Sequence, residues 1–153
     1  MKKLIIENPT NPDHVDSDVC VVHCVDNRLL NTHELLRKHF GIYDALILVG
    51  GSKSLTDPSE LGHDFNLWQV ETCLKLHNIK KVALTVHQKC GAYKGSIPDG
   101  ENEDNFLERH LDLAENNVRN HLVEKGFEGI EIKKYIVDFD GVHEIVSAEA
   151  VLN

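Results

Sequence analysis

The chain has 153 residues, 41% apolar and 27% charged, which is one ordinary domain's worth of sequence and enough to bury roughly two-thirds of its unfolded surface. Sixteen Lys and Arg against 25 Asp and Glu leave a net charge of −9, so neither nucleic acid nor an anionic membrane is expected as a partner, because both need clustered cations. No apolar run approaches the ~20 residues of a membrane span, and "MKKLII" stops being leader-like at Glu7-Asn8-Pro9.

Four cysteines without an export signal predict a reducing, cytoplasmic setting in which thiols stay free or bind metal. The whole of 1–153 reads as a single domain, with no repeat, linker or low-complexity tract.

In chain order, Val19–Val25, Ala45–Val49, Val82–Val86 and Ile130–Val137 are short aliphatic or β-branched runs with polar or glycine-containing flanks, each the length of a buried strand. Helical patterns separate them. In "NTHELLRKHFG", Asn31 and Glu34 resemble a capping box and Gly41 a helix stop. "HDFNLWQVETCLKLHN" spaces Leu67, Val70, Cys73, Leu74 and His77 for one helical face. The longest periodic segment carries Phe106, Leu107, Leu111, Ala114, Val118, Leu122 and Val123 and ends at Lys125-Gly126.

This alternation predicts an α/β fold: a mostly parallel sheet of about four strands, order 2-1-3-4, covered by helices through right-handed crossovers. "VDFDGVHEIVS" adds an Asp140-Gly141 turn and a short antiparallel edge strand. "GGSKSLTDPSELG" and "KGSIPDGENEDN" are expected as two long loops.

Two strands end in chemistry. The first runs into Cys24, Asp26 and Arg28; the third into His87 and Cys90. In open α/β sheets ligands gather at the carboxyl ends of the strands, where crossovers diverge. With strands 1 and 3 adjacent, two thiolates and an imidazole can converge on one ion, and Cys₂His leaves a fourth position open. Asp26 then reaches the metal's water, or is itself the fourth ligand; Arg28 can hold it ionised through a bidentate pair.

Cys20 lies four strand residues from Cys24, about 13 Å at ~3.3 Å each, too far to share that ion. Cys20 and Cys73 read as core residues. No C-x-x-C is present to suggest a thiol redox protein. "VGGSKSL" lacks both glycine-rich phosphate-loop spacings; Gly50-Gly51 instead suggest a tight turn approaching the site closely.

Cys24-x-Asp26-x-Arg28 followed by His87-x-x-Cys90-Gly91 resembles the paired motifs of the β-class carbonic anhydrases, over about Val19 to Ser147. The resemblance implies Zn2+ held by Cys24, His87 and Cys90, with Asp26 and Arg28 as the catalytic dyad. It implies reversible hydration of carbon dioxide to bicarbonate by hydroxide made available at zinc near neutral pH. It also implies a homodimer or dimer of dimers.

Where the family carries an Arg-Asn-Ala-Gly-Asn-like segment after its second strand, this chain has "LVGGSKSL". That change keeps two alternatives beside the anhydrase: a non-catalytic zinc protein of the same fold, and a hydrolase acting on carbon disulfide or carbonyl sulfide. None of the ten histidines is singled out as a proton shuttle; His23 is expected on the strand face opposite Cys24.

Overall fold

The computed structural model describes residues 13 and 15–146; the leader-like start, Ser147 and both ends of the predicted 1–153 domain lie outside them. Five strands form one sheet in the order β2-β1-β3-β4-β5: β1 (Val19–Cys24), β2 (Tyr43–Leu48), β3 (Lys81–His87), β4 (Glu131–Val137) and β5 (Val142–Ile145). β1 runs parallel to both β2 and β3, β3 runs parallel to β4, and β5 returns antiparallel. The α/β expectation, its 2-1-3-4 order and the antiparallel edge strand are all present.

The helices divide between the faces of the sheet. α1 (Leu30–Phe40) brings Leu36 and Phe40 against Val19, Val21, Ala83 and Tyr135. α2 (His63–Leu76) and α3 (Glu103–Glu124) pack on the other face, against Cys20, Val22, Val82, Leu84 and Val86. Burial on both faces explains why all six residues of β1 are buried and why its sequence does not alternate. β2, at the edge, is only partly covered.

Two expected helix details differ. α1 has no capping box: Leu29 occupies the N-cap without a side-chain hydrogen bond, and Asn31 lies inside the helix. Winding starts earlier, in a 3₁₀ turn over Asn27–Leu29. There the Asp26 carbonyl accepts from the Leu29 amide, and the Asp26 carboxylate from the Arg28 amide. In α3 the periodic face is buried as expected apart from Val123, which is 66% exposed. Its N-terminus is capped by the Asn102 side chain, with Glu103 and Asp104 in the first turn where the helix dipole favours acids. Among the described residues no helix is long and apolar enough to cross a membrane.

Candidate metal centre

Cys24 is the last residue of β1 and His87 the last of β3, and the Cys90 backbone caps a 3₁₀ turn over Gly91–Tyr93. Parallel pairing of β1 with β3 brings these ends together. Ligand atoms of Cys24, His87 and Cys90 all lie within 4.8 Å of one another, and all three residues are buried. The two sulfurs are 3.9 Å apart. Cys20 is not in this group, as strand spacing requires.

The imidazole is oriented for the site. His87 Nδ1 donates to the Gln88 carbonyl at 2.9 Å, so the ring's lone pair lies on Nε2, which is buried and has no hydrogen-bond partner. An orphaned imidazole nitrogen facing two thiols is the donor set of a site that could hold a metal ion. Burial lowers the affinity of His87 for a proton, but the neighbouring Cys24 sulfur, the Gln88 carbonyl and the Asp26 carboxylate outweigh it and raise its pKa overall.

The two thiols share one proton unequally. The hydrogen bond from Cys90 holds Cys24 far below the ordinary thiol range, against the opposing effect of burial, with backbone N–H groups of Asp26 and Gly50 also assisting. Cys90 is pushed up by the same contact and by burial.

The second wall is built by glycine. The long loop expected after β2 begins with a compact 3₁₀ turn over Gly51–Leu55, with Leu55 fully buried. Gly50 and Gly51 have φ of +79° and +61°. A Cβ on Gly51 would stand 2.3 Å from the Thr85 carbonyl oxygen and 3.4 Å from the Cys24 amide. The close backbone approach expected from Gly50-Gly51 is thus present at the Cys24 end of β1.

Asp26 and Arg28 form the pair their spacing suggested. Arg28 Nε donates to Asp26 Oδ1 at 2.9 Å and Nη2 to Oδ2 at 2.6 Å, while Nη2 also reaches the Lys89 carbonyl at 3.0 Å. These bonds hold the Asp26 carboxyl well below the usual carboxylate range. Asp26 Oδ2 is 3.8 Å from His87 Nε2, yet Asp26 stands outside the three-residue ligand group.

Several supporting residues escaped the sequence reading. Gln88 and Lys89, between His87 and Cys90, are tied to the start of α3 by Gln88 Nε2 to Asp104 Oδ1 and Lys89 N to Glu103 Oε1, each at 2.7 Å. These bonds hold Lys89 at a φ of +55°. Phe139, from the β4–β5 turn, lies beneath both the Arg28 guanidinium (5.7 Å) and the Lys89 ammonium (5.6 Å). Glu103 and Asp104 fall in the expected long loop "KGSIPDGENEDN", but they open α3, and their partners are set by where that helix starts. His23 is on the α1 side as expected, buried, with Nδ1 to the Cys24 carbonyl at 3.0 Å.

No family model matches the chain. An uncharacterized protein from Rickettsia bellii is 26% identical over 157 residues, spanning 93% of this chain and 92% of that protein. Among solved structures, a β-carbonic anhydrase (isoform I) from Trichomonas vaginalis superimposes with a TM-score of 0.62 at 15% identity, covering 92% of this chain and 88% of that one. A tetrameric β-carbonic anhydrase from Sordaria macrospora gives 0.54 at 18% identity, covering 88% and 83%. The chain has the β-carbonic anhydrase fold. Within that fold, the Cys24, His87 and Cys90 group occupies the carboxyl ends of β1 and β3.

Proposed function

We propose that the protein binds Zn2+ through Cys24, His87 and Cys90 and catalyses the reversible hydration of carbon dioxide to bicarbonate. The observation that carries this reading is the meeting of two buried sulfurs and a partnerless His87 Nε2 beside an Arg28-clamped carboxylate. Sulfurs ~2.3 Å from a tetrahedral ion stand about 3.8 Å apart, close to the 3.9 Å found here.

Bound there, zinc would supply a water acidified to a pKa near ~7. Asp26, kept ionised by Arg28, can only accept hydrogen bonds. It would accept one from the attacking water and so direct that water's lone pair. Cys24, His87 and Cys90 would hold the metal, with Asp26 beside them as the acceptor. Arg28 holds the carboxylate in place, and its contacts to the Lys89 carbonyl and Phe139 fix the guanidinium in turn.

The same reading makes the chain a single domain over 1–153 that works in the cytoplasm, where thiols such as its four cysteines stay reduced. Assembly as a homodimer or dimer of dimers is part of it, with the tetrameric Sordaria macrospora protein as the supporting precedent.

Stopped-flow carbon dioxide hydration from pH 6.5 to 9, on protein carrying one zinc per chain, tests the proposal. A saturable rate that rises with pH is expected. Zinc bound with no rate above buffer would leave a non-catalytic zinc protein or a hydrolase of carbon disulfide or carbonyl sulfide.

A further inference from the structure

Two consecutive acids at the start of α3 hold two consecutive residues of the loop that joins His87 to Cys90. Asp104 Oδ1 accepts from Gln88 Nε2, and Glu103 Oε1 accepts from the Lys89 amide, each at 2.7 Å. The carbonyls of that same residue pair serve different halves of the site. The Gln88 carbonyl accepts from His87 Nδ1 at 2.9 Å, which leaves the buried Nε2 without a partner. The Lys89 carbonyl accepts from Arg28 Nη2 at 3.0 Å, while the same guanidinium grips the Asp26 carboxylate. One helix start is therefore linked by one arm to the imidazole and by another to the Asp26–Arg28 pair.

Acids in a first helical turn need no special reason, because the helix dipole favours them there. Asn102 already caps α3 by accepting from the Asn105 amide. What sets Glu103 and Asp104 apart is what they hold. Lys89 has a φ of +55°, a left-handed conformation that a non-glycine residue keeps where its surroundings impose it. The charge-assisted bond from its amide to Glu103 is such a constraint. Gln88 is fixed from the other side as well, by its amide to the Val137 carbonyl at 3.0 Å. The helix start is itself anchored: Phe106, Leu107 and Leu111 are buried in the core. Packing of α3, rather than the loop, thus sets where the two carboxylates stand.

We propose that Asp104 and Glu103 are positioning residues with separate duties. Asp104, through Gln88, sets the His87 imidazole for zinc. Glu103, through Lys89, sets Arg28 and thereby the Asp26 carboxylate for the attacking water. Neither acid touches metal or substrate. These duties rest on the zinc-dependent hydration proposed above, whereas the two hydrogen-bonded arms are present without it. Loosening the partner of a metal ligand costs metal affinity. Misplacing a group that orients the reactant costs rate and leaves the metal bound. The two arms therefore fail in different ways.

The test compares Asp104→Ala and Glu103→Ala with Asn102→Ala, which removes the α3 cap and neither arm. Competition with a chelating indicator reads zinc affinity, and stopped flow on zinc-saturated protein reads kcat. NMR on the zinc-free protein reads the His87 Nδ1–H and Arg28 Nε–H signals. Asp104→Ala is expected to weaken zinc binding about tenfold and to leave kcat within about twofold of wild type. Glu103→Ala is expected to lower kcat about tenfold and to leave zinc affinity within about twofold. Asp104→Asn and Glu103→Gln keep an acceptor oxygen and should restore both values. The same losses in Asn102→Ala, or loss of affinity and kcat together in both alanine variants, overturns the proposal by reducing the acids to helix stability. Unchanged affinity in Asp104→Ala or unchanged kcat in Glu103→Ala overturns it too. Wild-type protein that binds zinc without turnover would sink the hydration reading alone. The arms are then judged by NMR and zinc affinity: each alanine variant should broaden the signal of its own arm and leave the other sharp, and any other pattern overturns the assignment.

Discussion

The two ends of β1 carry the same element and different chemistry. At the carboxyl end, Cys24 meets Cys90 among backbone N–H donors and the bare Nε2 of His87. At the amino end, Cys20 pairs in register with Asp44 of β2, whose carboxylate already accepts from His77 Nδ1 and the Ser17 hydroxyl. Only the first set brings two sulfurs and an unpartnered imidazole nitrogen together within reach of one cation. In the second set the imidazole nitrogen is spent on a carboxylate. A cysteine near a histidine does not make a metal site; what the imidazole is already bonded to decides whether a cation can be held.

The largest effect should come from breaking the carboxyl-end pair. Cys90→Ser removes one thiolate and the hydrogen bond that acidifies Cys24. Losing even an outer-shell partner of a metal ligand costs about 10- to 100-fold in affinity, so losing a ligand is expected to weaken zinc binding by about 100-fold or more. Turnover should vanish with it. Competition with a chelating indicator reads the affinity, and retention of wild-type zinc affinity would exclude Cys90 as a ligand.

Next comes Asp26→Asn, which leaves all three proposed ligands in place. It removes the carboxylate that Arg28 clamps and replaces an acceptor-only group with one that can also donate. Zinc stoichiometry should stay at one per chain while kcat falls by about 100-fold. A kcat within a factor of two of wild type would remove Asp26 from the mechanism. A loss of zinc instead would make it the fourth ligand.

Gly51→Ala acts on the scaffold. The added Cβ must stand 2.3 Å from the Thr85 carbonyl at a φ of +61°, a clash with backbone that no rotamer relieves. The left-handed conformation and the overlap together should cost about 3 kcal/mol. Chemical denaturation reads it, and zinc affinity should fall as the turn moves away from Cys24. A change under about 0.5 kcal/mol, the size of an ordinary surface substitution, would mean the turn is not wedged as described.

Much of the carboxyl end was legible in the sequence because the signal is local. Strands of five to seven apolar residues name their own ends, and Cys24, Asp26, Arg28, His87 and Cys90 fall within a few residues of those ends. The amino end was not legible. Cys20 and Cys73 are 53 positions apart and sit at apolar periods, so each reads as core by itself. Asp44 gave no signal because a single acid at the start of an edge strand is ordinary. The Gln88–Asp104 and Lys89–Glu103 ties were hidden for the same reason: they join a β3 loop to a helix start whose cap, Asn102, lies in a run of similar polar residues. The false capping box at Asn31 shows the opposite error. A good local pattern was overridden because Asp26 had already turned the chain five residues earlier.

The smallest expected effect is also the sharpest test that the two ends are separate. Cys73→Ser changes the amino-end cluster and touches none of the groups around Cys24. Cys20, in the core cluster that Cys73 packs against, is four strand residues from Cys24, about 13 Å along β1, and changes at sites more than about 7–10 Å apart without shared partners usually act independently. Zinc affinity and kcat should therefore remain within about twofold of wild type. The strand gives the two ends one mechanical link: β1 is buried along its whole length and bonded on both sides. If Cys73→Ser altered zinc affinity about tenfold, that link would be transmitting strain between them, and the contrast between the two ends would have to be replaced by one coupled unit.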